Sequence, residues 1–367
     1  MECVGGKMKI IKKGDIIQSA RYFVNGLFEK GFIDGLVGTV LYNNNSYITF
    51  FTDKKFVDTF NPFFPSFQVS TAQEIKRITK TKKSERKFGV ILRPCELNAF
   101  VELVKFKQIE KENILVIGID CFGAYDNKRL KDIKEPFSKF IEDIKNDNEE
   151  DLRRTCSTCL NPVPNINADI VLGYLGLDGD GVILIPQSEA GNEIIKSFEG
   201  EDGKEEKREE VIKKIIERRR KKWEEVKERT IKEVHGIDNL LNFFKDCITC
   251  HNCKDLCPIC FCKECFWESP VFEYKPENFF LWGEKKGGTK MPLDTIFFHV
   301  GRLTHMSHSC VGCGLCEDAC PRDIELQRLF YAVGEKTREI FSYQPGRDYN
   351  EPPPLTTFKE EELRELG

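Results

Sequence analysis

Two short cysteine runs constrain this chain more than any other feature. Cys247, Cys250, Cys253 and Cys257 are followed by Pro258, and the same register returns as Cys310, Cys313, Cys316, Cys320 and Pro321. Three thiolates on one tight loop reach three corners of a [4Fe-4S] cubane, and the fourth, turned away by the proline after it, serves the other cluster. The spacing therefore predicts one cluster on Cys247, Cys250, Cys253 and Cys320, and another on Cys310, Cys313, Cys316 and Cys257. Gly312 and Gly314 fit a loop whose backbone amides approach the cluster sulfurs closely. Zinc is the competing ligand chemistry, because paired Cys-x-x-Cys units also build tetrahedral sites. A third and fourth cysteine in one register, twice over, favours cubanes.

The two runs lie far apart for such a pair. The insertion between them, residues 259–309, opens with Cys260, Cys262 and Cys265. These three thiols are candidates either for a further metal site, with a ligand from elsewhere, or for buried packing thiols. His299, Arg302, His305 and His308 precede the second run; one histidine is a candidate ligand or proton-coupled neighbour, and structural histidines with satisfied hydrogen bonds are the favoured reading. Residues 246–330 thus form a two-cluster, ferredoxin-like domain with an insertion, and 331–367 a helical and Pro-rich tail.

Upstream the pattern is different. Strand-like runs at 36–42, 47–51, 89–92, 114–119, 170–173 and 182–186 alternate with helical segments at 16–29 and 96–106. The fold class expected is therefore an α/β N-terminal domain, residues 9–198, joined to a C-terminal α-helical, ferredoxin-like iron–sulfur domain. Between them, 199–245 is a charged helical connector. Its apolar stripe, Val211, Ile212, Ile215, Ile216, Trp223, Val226 and Ile231, reads as one docking edge on a solvated helix. No stretch approaches the length of a membrane span, and the first residues lack the apolar core of an export signal. A cytoplasmic location is expected, with the sixteen cysteines kept as thiolates rather than disulfides. A net charge of −4 gives no footing for nucleic acid. Cys3 is left over in the leader.

Four further cysteines punctuate the α/β domain: Cys95 after Arg93 and Pro94, Cys121 before Phe122 and Gly123, and the pair Cys156 and Cys159. Each follows a predicted strand or opens a turn, which collects them at one sheet edge, where open α/β folds build their sites. In this order, and with Ala168-Asp169-Ile170 leading to Gly173 and the strand and turn from Gly181 to Gly191, the first half of the chain resembles the coenzyme F420 hydrogenase/dehydrogenase beta-subunit family. The stretch from Leu27 through Gly31 to Asp34 and Gly35 is similar to that family's helix-to-strand joint. The resemblance implies that Cys95, Cys121, Cys156 and Cys159 hold a third [4Fe-4S] cluster beside an FAD, with coenzyme F420 as hydride partner. A flavin suits such an exchange, because it takes two electrons together and releases them singly.

The function expected is an iron–sulfur electron-transfer subunit of a hydrogenase-like or formate-dehydrogenase-like complex. Its partner would be the catalytic subunit or another electron-carrying subunit. Two alternatives stay open: a self-sufficient FAD-dependent oxidoreductase coupling ferredoxin to F420 or another soluble carrier, and a scaffold whose clusters only hold the fold.

Overall fold

The computed structural model describes residues 7–43, 45–177, 179–203 and 206–357, so Cys3 lies outside the described residues. Strands β1 (Lys9–Ile11), β2 (Gly35–Tyr42), β3 (Asn45–Phe51), β4 (Phe88–Leu92), β5 (Ile114–Ile119), β6 (Ile170–Gly173), β7 (Val182–Pro186) and β8 (Glu201–Asp202) make one sheet. Their spatial order is β3-β2-β4-β5-β6-β7-β1-β8. The four strands β2, β4, β5 and β6 run parallel, flanked by antiparallel partners on both sides. Every expected strand is present. The additional β1 and β8 span three and two residues, too few for an alternating pattern to register.

β4 and β5 are nearly continuous apolar runs because both sheet faces are covered. Alternation still divides them: Ile91, Ile117 and Ile119 join one core with Phe23, Val24 and Leu27 of helix α1 (Ile16–Glu29). Val90, Leu92 and Val116 face the other way, into a core with Ala72 and Ile75 of α2 (Thr71–Thr79) and Leu97 and Phe100 of α3 (Pro94–Lys105). This second core does not end with the α/β part. Ile259, Met306, Val311 and Phe330 belong to it, so the cysteine-rich segment docks on the α3 face of the sheet.

α3 starts at Pro94, two residues ahead of the expected start, with Pro in the first turn and the Glu96 carboxylate accepting from the Arg93 amide at 3.0 Å. Cys95 therefore sits in the first turn of a helix, directly beyond the carboxyl end of β4. Short helices α4 (Asn127–Leu130), α5 (Pro136–Lys145), α6 (Arg154–Ser157) and α7 (Glu189–Lys196) complete this half.

The connector is a helix, α8 (Glu206–Val234). Ile215 and Trp223 are buried as expected, but Ile231 is 53% exposed and leaves the stripe. Two guanidiniums take the place that an apolar pattern cannot reveal. Arg208 pairs with the fully buried Asp120 at 2.7 Å. Arg219 donates from Nε to Glu149 at 2.7 Å and from Nη2 to the Phe122 carbonyl at 2.5 Å. Burial opposes ionisation of Glu149, but the hydrogen bond from Arg218, the charge of Arg219 and the hydrogen bonds from Lys222 and Arg219 outweigh it and hold the pKa at about 2. A carboxylate with a folded pKa below its unfolded one stabilises the fold above the unfolded value, and the contribution fades as pH falls toward the folded value. Glu149→Gln, which strands a buried Arg219, is expected to cost about 3 kcal/mol at neutral pH. Urea midpoints should show this difference shrinking as pH drops from about 4.5 toward 2; a difference that does not change with pH would refute it.

Beyond α8 come α9 (Ile237–Phe243), α10 (Asn252–Asp255), α11 (Pro276–Lys286), α12 (Thr295–Met306), α13 (Leu315–Asp318) and α14 (Leu326–Phe341). The tail then returns to the sheet. Tyr343 donates to Glu102 at 2.5 Å, the Gly346 amide donates to the same carboxylate at 3.0 Å, and Asn165 donates to the Gly346 carbonyl at 2.6 Å. Among the described residues, no helix is long and apolar enough to cross a membrane.

Candidate metal centres

The two runs fold into the same loop. Thr249 and His251 hold φ of 52° and 61°, and the residues in register with them, Gly312 and Gly314, hold 69° and 75°. Each run thus passes through two left-handed residues and then starts a one-turn helix, α10 after His251 and α13 after Gly314. The first run accepts this with side chains at some cost. In the second run glycine also answers a packing need that the sequence did not reveal. A Cβ on Gly314 would collide with the side chain of Thr155, so the bare Cα lets α6 of the sheet domain pack against the loop.

The thiols gather around three cavities. Cys247, Cys250, Cys253 and Cys320 line one; Cys257, Cys310, Cys313 and Cys316 line a second. Cys320 lies with the first run and Cys257 with the second, the crossed arrangement that the spacing predicts. Cys95, Cys121, Cys156 and Cys159 line the third cavity, at the carboxyl ends of β4 and β5. Among the described residues no three His, Cys, Asp or Glu side chains converge on a single ion position. The sulfurs stand around each cavity rather than close on one point, which suits a polynuclear group.

The donor chemistry fits iron–sulfur clusters. Burial pushes the Cys121 thiol up to about 12 and that of Cys253 to about 11, and it raises Cys95, Cys159, Cys310 and Cys316 as well. Four thiolates cannot share such surroundings unless positive charge enters with them, and coordinating iron supplies it while removing the protons.

The cavities form a line. Gly312 and Cys313 border both the second and the third. Arg153, buried and paired with Asp318 at 2.7 Å, donates to the Cys313 carbonyl at 3.2 Å and lies 3.9 Å from Cys156 Sγ. Arg302 borders the second cavity and donates to Cys253 Sγ at 3.0 Å in the first. Cys250, exposed, marks the first cavity as the end nearest solvent.

At the other end the third cavity adjoins a cleft, with Phe67 and Arg93 common to both. This cleft of about 220 Å³ is lined by Thr39, Tyr47, Gln68, Glu96 and Ile119, among others. It opens where β4 and β5 end, the position at which open α/β sheets take ligands. Ser66 lines it with a buried hydroxyl that has no hydrogen-bond partner, and Ser70 and Asn61 hold unpartnered buried polar atoms nearby in the chain. No pattern in the sequence marked this cleft, because its wall comes from β2, β3, the 62–71 loop and α3 together.

Two side chains from the insertion, His299 and Arg302, touch cysteines of the first run. His299 Nε2 lies 3.2 Å from Cys247 Sγ, with its ring stacked on Phe244 at 4.0 Å, and its Nδ1 has no partner. Burial and the neighbouring Arg302 and His251 hold its pKa down at about 3. It is therefore not the satisfied structural histidine that the sequence suggests. His305 is exposed, and His308 is buried with Nε2 unpartnered. Cys260, Cys262 and Cys265 do not line any of the three cavities. Cys260 packs against the second core, with burial raising its thiol to about 12, while Cys262 is exposed.

Comparison with known proteins gives a matching domain family and several similar chains. The 4Fe-4S binding domain family matches residues 305–324, which enclose the second run. The F420-dependent formate dehydrogenase subunit beta of Methanocaldococcus jannaschii is 30% identical over 306 residues, covering 74% of this chain and 76% of the relative. The F420-dependent formate dehydrogenase 1 subunit beta of Methanococcus maripaludis is 28% identical over an alignment of 403 residues, covering 94% and 95% of the two chains. Among solved structures, a chain of the F420-reducing [NiFe] hydrogenase complex from Methanosarcina barkeri aligns over 64% of this chain and 95% of its own, with a TM-score of 0.46 and 17% identity.

Proposed function

This chain belongs to the family of F420-dependent formate dehydrogenase beta subunits and is an iron–sulfur electron-transfer subunit, and from that premise we propose that it links hydride chemistry at a flavin to single-electron transfer along three cubanes. The flavin, FAD, occupies the cleft bordered by Phe67 and Arg93. The cubanes follow in the order of the cavities: first Cys95, Cys121, Cys156 and Cys159, then Cys257, Cys310, Cys313 and Cys316, and last Cys247, Cys250, Cys253 and Cys320. The single observation that carries this reading is the line from the cleft to the exposed Cys250, through walls held in common as far as the second cavity and through the Arg302–Cys253 hydrogen bond from there to the first.

When bound, the flavin supplies the exchange between two-electron and one-electron carriers. The protein's part is positional. Arg93 stands between cleft and third cavity, its Nη2 fixed on the Phe64 carbonyl at 2.8 Å, where it favours negative charge arriving on either side. Arg153 does the same between the third and second cavities, tied to Asp318 and the Cys313 carbonyl. Coenzyme F420 is the hydride partner at the cleft, and a catalytic subunit of formate-dehydrogenase type meets the Cys250 end, in the cytoplasm. Cys260, Cys262 and Cys265 hold no cubane in this scheme.

Anaerobically purified protein is expected to carry about twelve iron and twelve sulfide per chain, four of each for every cubane, together with one releasable FAD. Sixteen iron would assign a further cluster to Cys260, Cys262 and Cys265. Twelve iron without flavin would make the chain a pure conduit and overturn the role given to the cleft.

A further inference from the structure

We infer that Arg302, which the insertion delivers on α12, is the buried counter-ion shared by the clusters of the two cysteine runs, and that it raises the reduction potential of the cluster bound through Cys253 more than that of its neighbour. The inference rests on reading the cysteine sets as cubanes.

Arg302 is 3% exposed. Its Nη1 donates to Cys253 Sγ and its Nη2 to the Cys253 carbonyl, both at 3.0 Å, so the guanidinium fork grips one ligand residue at two points. Phe298 and Phe330 cover it, with ring centroids 5.6 and 4.9 Å from Cζ. Among the described residues no carboxylate pairs with it; the charges it faces are the sulfurs of Cys253, Cys257, Cys316 and Cys260. A buried cation without an opposing charge is costly enough to unfold a domain. The charge that opposes this one is held by the clusters. A [4Fe-4S] cluster counted with its four thiolate ligands is anionic in both of its working states, and Cys253 serves one cluster while Cys257 and Cys316 serve the other.

The consequence for redox chemistry follows from charge alone. Reduction adds one electron to a cluster and moves no proton and no bond, so the reduced form is one unit more negative. A fixed cation stabilises that form more than the oxidised one and shifts the potential upward, and a hydrogen bond to a ligand sulfur acts in the same direction. The Cys253 cluster receives both effects. The cluster of Cys257 and Cys316 receives the charge without a hydrogen bond from Arg302. The asymmetry makes the exposed end of the line the better electron acceptor of the two.

The test is an EPR-monitored redox titration of the anaerobically purified full chain, with iron content measured on the same samples and signals assigned by Cys320→Ala and Cys257→Ala, each of which lacks one cluster. Arg302→Met keeps the stem between the two phenyl rings and removes charge and donors. The expected result is a change of about tenfold or more in the oxidised-to-reduced ratio of the Cys253 cluster at fixed potential, about 59 mV downward for one electron. The neighbouring cluster should move less, and the cluster of Cys95 and Cys121 not at all. Arg302→Lys keeps the charge but not the fork, and should restore the neighbour fully and the Cys253 cluster in part; if the Met variant loses iron, the Lys variant carries the test by itself. Unmoved midpoints at full iron content, or equal shifts in all three clusters, would overturn the role of Arg302. A wild-type chain without cubane iron would instead overturn the cluster reading beneath it.

Discussion

Replacing Cys320 by alanine is expected to empty the cluster whose other ligands lie more than sixty residues upstream, and to spare the one to which its own run gives three ligands. The geometry behind this is explicit. Cys320 shares its cavity with Cys247, Cys250 and Cys253, whereas Cys310, Cys313 and Cys316, its own run, share theirs with Cys257. Iron should fall by about four atoms per chain, the content of one cubane, and the spectrum that survives should be that of the second-run cluster. Cys257→Ala should give the complementary loss. The pair of variants controls for unfolding, because each must retain what the other loses. If Cys320→Ala instead removed the second-run signal, ligation would be local and the crossed arrangement wrong.

Cys121→Ala should have the larger functional effect. Cys121 closes the cavity nearest the cleft, with burial holding its thiol at about 12 and the charge of Arg93 easing it. Without this ligand the chain should hold about eight iron rather than about twelve, and the gap in the line should fall between the flavin and the two run clusters. Reduced F420 would then still bleach the flavin while the run clusters stay oxidised, a separation visible by stopped-flow absorbance under anaerobic conditions. Twelve iron in this variant would place the third cluster elsewhere, with Cys260, Cys262 and Cys265 the remaining thiol set. Both predictions use cysteine rather than surface residues because loss of a ligand removes a whole group, not a fraction of a contact.

Much of this architecture was legible in the chain. β4 and β5 announce themselves as apolar runs bounded by polar turns, and α1 by its amphipathic stripe. The four α/β cysteines could be placed at a sheet edge because each follows a strand or opens a turn. The connector was legible as a helix but not in its contacts. Ile231 matches the stripe and points outward, while Arg208 and Arg219 match the solvated face and are buried. An apolar pattern cannot register a buried cation, whose place depends on Asp120 and Glu149, each more than sixty residues away. His299 escaped for the same reason: a lone histidine on a helix carries no local sign that Cys247, fifty-two residues earlier, will meet it.

What the sequence by itself determined is which thiols are spaced to act together. A tight loop needs its thiolates at fixed short intervals, with a proline to turn the fourth away, so the crossed pairing of the two runs is written in local spacing. What only the tertiary structure decided is the order of the centres and the charges between them. Docking of the cysteine-rich segment on the α3 face brings Cys313 against the cavity of Cys95 and Cys121, the bare Gly314 admits Thr155, and the insertion swings Arg302 to Cys253. Those contacts arise from burying apolar surface on a common core, a non-local driving force that leaves no periodic trace in the residues it brings together.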